Sequence, residues 1–271
     1  MMTNTHLIYF SPTKTTKKVI EKLAKGLGSD QIKHYDLTFA DAVCDEPIND
    51  GVAVIGIPVY GGRVPQLFLD RLQRLTSTGV PAVLVALYGN REYEDALVEL
   101  RDVAIAAGFS VVAAAAFIGE HSFSTTAQPI AANRPDRIDL QKATDFGLAI
   151  AAALQISTEP GLPDIPGNVP YKERVPLGGI SPVTDRNRCT LCGTCAEVCP
   201  TFVITVSAEV GTNAEKCVMC CACVKDCPEN ARDLIHPAAQ SRRDTLFQNC
   251  STRKEPITFI WLPKAIPPHA G

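Results

Sequence analysis

The chain has 271 residues, of which 46 % are hydrophobic and 20 % charged, and its formal net charge is −3. This composition predicts a packed core, in one medium-sized domain and a smaller one. It shows no basic surplus or patch, so we expect no nucleic-acid partner. The longest apolar runs, such as 110–119, are shorter than the roughly 18 residues of a membrane span. The first ten residues lack the features of a signal peptide, and we expect a cytoplasmic protein.

The first 156 residues alternate strand-like and helix-like patterns. Strands are predicted at 5–10, 32–36, 51–60, 81–88 and 110–119, where β-branched, aromatic or continuous apolar residues run together. Helices are predicted at 15–27, 65–76, 92–107 and 137–156, where apolar residues recur with helical spacing. Five strands that alternate with helices predict an α/β fold, in which a parallel sheet has helices on both faces.

The remaining chain divides by composition. Residues 157–181 are rich in Pro and Gly and are interpreted as a linker between units rather than a core segment. Nine of the 11 cysteines follow, within a predicted small domain at 182–236. The tail at 237–271 has no predicted fold. The domains are therefore predicted at 1–156 and 182–236.

A hydroxyl-rich loop, SPTKTT, connects the first strand to the first helix. Ligands of doubly wound sheets bind outside the carboxyl ends of the strands, which is where this loop lies. Its hydroxyls and the helix N-terminus predict a phosphate site. The alternative is a simple N-cap, since any Ser/Thr cluster before a helix can supply one. The GxxxxGK[ST] and GxGxxG patterns are absent, so direct oxidation of NAD(P)H is not expected. The candidate residues are Ser11, Thr13, Lys14, Thr15 and Thr16.

Three more loops end at the same edge of the predicted sheet. Glycine-rich backbone there allows a planar ring to approach closely. Three tyrosines in or beside these loops, Tyr60, Tyr88 and Tyr93, could flank such a ring, or they could be ordinary half-buried residues at strand ends. Asn90 and Arg91 could hydrogen-bond the ring, and His121 is the candidate proton donor, unless it is a loop histidine bonded to backbone. The candidate residues are Pro58, Val59, Tyr60, Gly61, Gly62, Tyr88, Gly89, Asn90, Arg91, Tyr93, His121 and Ser122.

Together, the SxTxxT spacing of 11–16 and the loops PVYGGRVP, YGNREYEDAL and GEHSFS resemble the FMN-binding loops of flavodoxins. The resemblance implies a flavodoxin-like sheet of order 2-1-3-4-5 and one FMN, whose phosphate is held by the first loop and whose ring lies against the others. Pro12 and Lys14 stand where flavodoxins commonly carry glycine. Flavodoxins often stack a tryptophan on the flavin, whereas the only tryptophan here, Trp261, lies in the tail.

The cysteines form an internal repeat, CxxCxxCxxxCP, at 189–200 and again at 217–228. CxxC spacing in a cytoplasmic chain indicates a metal site more than disulfides. A zinc site needs two CxxC pairs and gains nothing from a third cysteine three residues later. Three cysteines spaced by two residues can instead hold one corner of an iron–sulfur cubane.

The repeat resembles the bacterial-type ferredoxins with two clusters, a small α+β fold in which the fourth cysteine of each repeat ligates the other cluster. The resemblance implies two [4Fe–4S] clusters. The first is implied to bind Cys189, Cys192, Cys195 and Cys227, and the second Cys217, Cys220, Cys223 and Cys199. We expect Cys44, Cys221 and Cys250 not to be ligands, and 201–206 and 231–235 to supply an apolar wall.

As a whole, the sequence resembles the flavodoxin–ferredoxin fusions of anaerobic bacteria and archaea, which are iron–sulfur flavoproteins. The family implies electron transfer: a relay between the clusters and FMN that couples one- and two-electron steps with a redox protein partner. One alternative is an oxidoreductase that reduces a small substrate at the FMN face, with the clusters as its electron supply. Another is a non-catalytic subunit that docks through its tail. A homodimer and either direction of electron flow stay open.

Overall fold

The computed structural model describes residues 4–40, 46–156, 161–175 and 178–261. Its largest element is a sheet whose first five strands are parallel. They are β1 (Asn4–Tyr9), β2 (Gln31–Asp36), β3 (Val52–Pro58), β4 (Pro81–Tyr88) and β5 (Ser110–Ile118). The order β2-β1-β3-β4-β5 is that of flavodoxin-like doubly wound sheets, which confirms the predicted fold class.

Four helices cover the two faces of this sheet. They are α1 (Thr15–Leu27), α2 (Gln66–Leu72), α3 (Ala96–Ala106) and α4 (Arg137–Ile156). One core lies between the sheet and α1 with α4, and the other between the sheet and α2 with α3. The middle strands are buried on both faces, as a continuous apolar run predicts. No helix in the described ranges is long and apolar enough to cross a bilayer.

Helices α1 and α4 approach closely because glycines face each other at the crossing. A Cβ atom at Gly26 would overlap the carbonyl oxygen of Thr144, and one at Gly147 would overlap that of Leu23. The crossing fixes α1 against the sheet. Because the SPTKTT loop leads into α1, the crossing also fixes the position of that loop.

Two helices are shorter than predicted. α3 was expected from residue 92, but Glu94 has a φ of 45°, which is left-handed backbone that a helix cannot contain. α2 was expected to continue to residue 76. It ends at Leu72, where the amide of Leu75 bonds the Leu72 carbonyl at 2.9 Å in a tighter turn.

The cysteine region forms a second, smaller unit of short elements. They are β6 (Val183–Thr184), α5 (Thr194–Glu197), β7 (Ile204–Val206), β8 (Val210–Thr212), a 3₁₀ turn (Ala214–Lys216), α6 (Ala222–Lys225) and β9 (Arg232–Asp233). β6 pairs with β9 and β7 with β8, both antiparallel. Each of the short helices α5 and α6 contains the third cysteine of a repeat, Cys195 or Cys223. The duplicated sequence therefore folds into duplicated local structure.

The tail, for which the sequence predicted no fold, returns to the first sheet. It forms α7 (Pro237–Asn249) and β10 (Ile257–Ile260). β10 pairs antiparallel with β5, from Ile257 opposite Ala116 to Ile260 opposite Ala113. Within the described residues the sheet therefore has six strands, one more than predicted.

The linker packs against the first unit over the part that is described. Ile165 is 4 % exposed and belongs to the core beside α3. The sequence analysis expected this segment to lie outside the core, and at Ile165 it does not. The amide of Lys172 donates to Asp95 at 2.7 Å, and Arg174 pairs with Glu99 at 2.7 Å. The domain bounds stay a prediction.

Candidate functional site

The loop between β1 and α1 retains the features of an anion site. Ser11 is buried and its hydroxyl accepts a hydrogen bond from the Lys17 amide at 3.1 Å. The hydroxyls of Thr13 and Thr15 lie 3.2 Å apart. The backbone amides of Thr15 and of the buried Thr16 donate to no acceptor among the described residues. Ser11 thus acts as a cap, while free amides at the N-terminus of a 13-residue helix fit a phosphate.

Lys14, in this loop, has a φ of 64°, which is the left-handed conformation that glycine adopts without strain. This backbone explains why the position is commonly glycine in flavodoxins, and Lys14 adopts it at a cost in strain. Its ammonium group is exposed and reaches Asp226 of the cysteine region at 2.8 Å. Lys14 therefore connects the loop to the second unit.

The loop after β3 leaves room at Gly61, whereas Gly62 is covered by Glu94. Gly61 and Gly62 have φ angles of 61° and 83°, and a Cβ atom at Gly61 would meet nothing within 4 Å. Tyr60 closes the turn through hydrogen bonds with Arg63 and packs edge-on against Phe10, with ring centroids 6.3 Å apart. Pro58 and Val59 are half-buried below it. The backbone is therefore open at Gly61, and the approach of a planar group to this loop stays a prediction.

Two of the three candidate tyrosines are part of the core. Tyr88 and Tyr93 are 4 % and 8 % exposed, and their ring centroids are 5.7 Å apart. Burial, together with Glu92 and Tyr93, raises the pKa of Tyr88 to about 12. For these two residues the ordinary packing alternative describes the structure. Tyr60 is the tyrosine that the structure leaves at the edge loops.

The polar candidates after β4 already have partners. Asn90 is buried, and its amide nitrogen donates to the carbonyls of Cys250 and Thr252 at 2.7 and 2.8 Å. Arg91 makes two bonds with Glu94, at 3.0 and 2.9 Å. Asn90 therefore anchors the tail. Both N–H groups of its side-chain amide are used in these bonds, so neither is free to donate to a ring.

His121, after β5, is a backbone-bonded histidine. Its Nδ1 accepts from the Phe123 amide at 3.0 Å, and its ring lies against Gly89. Burial, and then the charges of Arg91 and Lys225, lower the pKa of His121 to about 4. The imidazole is therefore neutral at pH 7, which argues against its predicted role as a proton donor. The neighbouring Ser122 is half-buried.

The cysteines line two separate cavities, each with about 320 Å³ of empty space partly open to solvent. We call them the first and second cavity. The first is lined by Cys189, Cys192, Cys195 and Cys227. The second is lined by Cys199, Cys217, Cys220 and Cys223, with Cys221. Each set takes one cysteine from the other repeat, so the structure brings together the residues of the two predicted ligand sets. In the described part of the chain, no three His, Cys, Asp or Glu side chains are grouped as the ligands of a single metal ion.

The cavities differ in exposure and in the acidity of their thiols. Cys192 of the first cavity is exposed, and its hydrogen bond with Thr194 lowers its pKa. In the second cavity, burial raises the pKa of Cys220 to about 12 and that of Cys223 to about 11. Because thiolates are the metal ligands, binding at the second cavity releases protons.

The three other cysteines have different positions. Cys221 is buried beside the second cavity, and its thiol donates to the Met219 carbonyl at 3.6 Å. Cys250 is buried, and its carbonyl is one of the acceptors for Asn90. Cys44 lies outside the described residues. That none of the three is a ligand stays a prediction.

Arg232 is a site residue that the sequence analysis missed. The segment 231–235 was expected to be an apolar wall, but Arg232 lines the first cavity and is 4 % exposed. Its Nη2 lies 3.7 Å from the sulfur of Cys223, and its buried Nε has no partner among the residues that the structure describes. A buried cation with an unpaired N–H beside thiols fits an anionic group such as an iron–sulfur cluster. The signal was a pair of charged residues, Arg232 and Asp233, beside apolar ones.

The second unit packs on the carboxyl edge of the sheet, where it contacts the loops after β1 and β5. Lys225 pairs with Glu120 at 2.6 Å, and Arg71 donates to the Pro200 carbonyl at 2.6 Å. Burial, and then the nearby cysteines of the second cavity, raise the pKa of Tyr60. The second cavity therefore faces the Tyr60 loop.

Comparisons with known proteins find one family match, in the cysteine region, and several likenesses to solved structures. Residues 181–235 match a family model described as a 4Fe-4S dicluster domain. Among solved structures, a flavodoxin from the domain Archaea is 13 % identical, with a TM-score of 0.35 over 56 % of this chain and 99 % of that one. The flavodoxin of Streptococcus pneumonia TIGR4 is 16 % identical, with a TM-score of 0.36 over 54 % and 97 %. Fusobacterium nucleatum flavodoxin bound to flavin mononucleotide is 18 % identical, with a TM-score of 0.38 over 56 % and 98 %. A search of curated protein sequences finds no match.

The strand order defines a flavodoxin-like unit, and the family match defines a 4Fe–4S dicluster unit. The chain is therefore built as a flavodoxin–ferredoxin fusion. This combination is the one expected of an iron–sulfur flavoprotein in electron transfer.

Proposed function

We propose that the chain relays electrons between two [4Fe–4S] clusters and FMN, and so couples a one-electron protein partner to two-electron flavin chemistry. The observation that carries the proposal is a pair of salt bridges, Lys14–Asp226 at 2.8 Å and Lys225–Glu120 at 2.6 Å, which hold the unit with the second cavity on the carboxyl edge of the sheet. A cluster in that cavity would lie beside a flavin bound at the same edge of the sheet. No observation in the described residues favours the small-substrate reductase over this relay.

In the proposal, FMN binds across the carboxyl edge. Thr15 and Thr16 would offer backbone amides and Thr13 and Thr15 hydroxyls to its phosphate. The open backbone of Gly61 would admit the ring beside Tyr60. When bound, FMN exchanges two electrons and each cluster exchanges one, which is the chemistry that a relay needs.

The two cavities would hold one cluster each, on the two cysteine sets that line them. Cys192 is exposed at the first cavity, where a reduced one-electron redox protein would dock and supply two electrons in succession. Three of the four predicted ligands at the second cavity, Cys199, Cys220 and Cys223, are buried, which would limit the access of water to the inner cluster. Protons for the reduced flavin would come from water, since His121 is neutral. The same path serves electrons that run in the opposite direction.

Iron and flavin measurements on anaerobically purified protein test the proposal. We expect about eight iron atoms and one FMN per chain, from two cubane clusters and one flavin site. About four iron atoms, or FAD instead of FMN, would contradict it.

Matched cysteine variants test which cysteines hold which cluster. Cys199→Ala belongs to the first repeat but should lose the second cluster, because Cys199 lines the second cavity. Cys221→Ala is the control, since Cys221 lies in the same cavity and is predicted not to be a ligand. Mössbauer or EPR spectra should show one cluster in Cys199→Ala and two in Cys221→Ala. Equal cluster loss in both variants would refute the assignment.

A further inference from the structure

We propose that Arg232 is a shared cation that raises the reduction potential of both clusters, and that its bond to Cys223 adds a further increase at the second. The inference rests on the cluster sites of the proposed function. It concerns a residue outside the cysteine repeats, whose effect can be measured separately from the presence of the clusters.

The first argument is position. Arg232 lines the first cavity, while its Nη2 lies 3.7 Å from the sulfur of Cys223 in the second. Cys195 lines the first cavity together with Arg232. One arginine side chain therefore lines the first cavity and contacts a cysteine of the second.

The second argument is the absence of a carboxylate partner. The other acceptors of Arg232 in the described chain are neutral: the hydroxyls of Thr184 and Thr212 at 2.8 and 3.0 Å, and the Pro182 carbonyl at 3.1 Å. Its buried Nε has no acceptor among the described residues. Burying a cation without a counter-charge is costly. Two anionic clusters on either side would supply that counter-charge.

The effect on potential follows from charge. Each cluster gains one electron from its donor on reduction, and so gains one unit of negative charge that a nearby cation stabilises. Hydrogen bonds to the sulfurs are a second factor that tunes cluster potentials. The charge acts on both clusters, whereas the N–H of Nη2 acts on Cys223 alone. A purely structural role, in which Arg232 only ties β6, β8 and β9 together, would leave both potentials unchanged.

The test is an EPR-monitored redox titration of the anaerobically purified full chain and of three variants. Arg232→Gln removes the charge, and Arg232→Lys keeps it while giving up the planar fork. Arg243→Gln is the matched control, because Arg243 is also a buried arginine with an unpaired Nε but lines neither cavity. Iron is measured first in every sample. A parent chain without about eight iron atoms refutes the proposed function, independently of Arg232.

For Arg232→Gln we expect the ratio of reduced to oxidised cluster, at fixed potential, to fall about tenfold or more at both sites. This is a shift of about 59 mV per decade for a one-electron couple. The larger fall is expected at the second cluster. Arg232→Lys should lower the reduction potential of the second cluster and leave that of the first cluster near its value in the parent chain. Arg243→Gln should change neither potential.

A loaded Arg232→Gln with less than about a twofold change at both sites would overturn the inference. So would equal shifts in Arg243→Gln. If Arg232→Gln binds no clusters, the potential of the second cluster in Arg232→Lys tests the inference instead. An unchanged second cluster in that variant would overturn the inference.

Discussion

Replacing Asn90 should loosen the tail from the flavodoxin-like sheet. Asn90 is 2 % exposed and has a φ of 65°. Its side chain donates to two carbonyls of the tail and accepts from the Lys254 amide at 3.3 Å. Asn90→Ala removes the two short bonds, worth about 1 kcal/mol each, and places alanine in left-handed backbone, at a further cost of about 1 kcal/mol. The expected loss is about 3 kcal/mol.

Asn90→Gly separates these two contributions. Glycine adopts the left-handed backbone freely, so this variant loses the hydrogen bonds alone. We expect it to cost about 2 kcal/mol. The difference between the two variants reports the strain at this position.

Hydrogen exchange measured by mass spectrometry is the suitable assay, because a two-unit protein need not unfold in one step. Amides of β10 should exchange about a hundredfold faster in Asn90→Ala, and those of β1 should be unchanged. Flavin affinity should change little. A variant whose β10 exchanges as in the parent, but whose flavin affinity falls sharply, would refute the reasoning and restore Asn90 as a contact of the flavin ring.

Two further predictions concern His121 and the helix crossing. The pKa of His121 is about 4 in the fold, below its usual value of about 6.5, so the unfolded chain binds more protons between these values. Stability should therefore be complete above pH 6.5 and fall by about 2 kcal/mol between pH 7 and pH 5. The stability of His121→Gln, measured by hydrogen exchange at the β5 amides and corrected for intrinsic exchange rates, should depend less on pH over that window, and an equally steep profile would contradict the assignment. Gly147→Ala should cost about 1–3 kcal/mol in the same assay, because its Cβ overlaps the Leu23 carbonyl. Leu148→Ala, at a side chain that is 58 % exposed, is the control that should change little.

The central fold was predictable because its signals are local. Pro81–Tyr88 and Arg137–Ile156 were predicted with the bounds that the structure has. Their apolar patterns extend over eight residues or more and end at clear breaks. The start of α3 was not predictable in this way, since the left-handed backbone of Glu94 depends on its partners, Arg91 and Lys172.

Strand β10 was missed for a different reason. Four residues that follow a polar segment carry little periodic signal. The strand exists because the outer edge of β5 offers unpaired backbone groups, and that edge lies about 140 residues earlier in the chain. Pairing at such a separation leaves no mark in a local pattern.

The site divides in the same way. The two cysteine sets were predictable because the repeat is duplicated, and in such a pair each set combines three cysteines of one repeat with the fourth cysteine of the other. The role of Asn90 was not, because its acceptors are backbone carbonyls of the distant tail. Arg232 could have been noticed from the sequence, but its lack of a carboxylate partner becomes visible only in three dimensions.

The position of strand β10 in the chain also means that the sheet is completed late in synthesis. The dicluster unit is an insertion between the fifth and the last strand of one sheet, not an appendage to it. A ribosome delivers all eight predicted ligand cysteines before the strand that covers β5. During that interval β5 remains an open edge, available to other chains. A gene cut after residue 156 would make this temporary state permanent, and its product should aggregate more readily than the full chain.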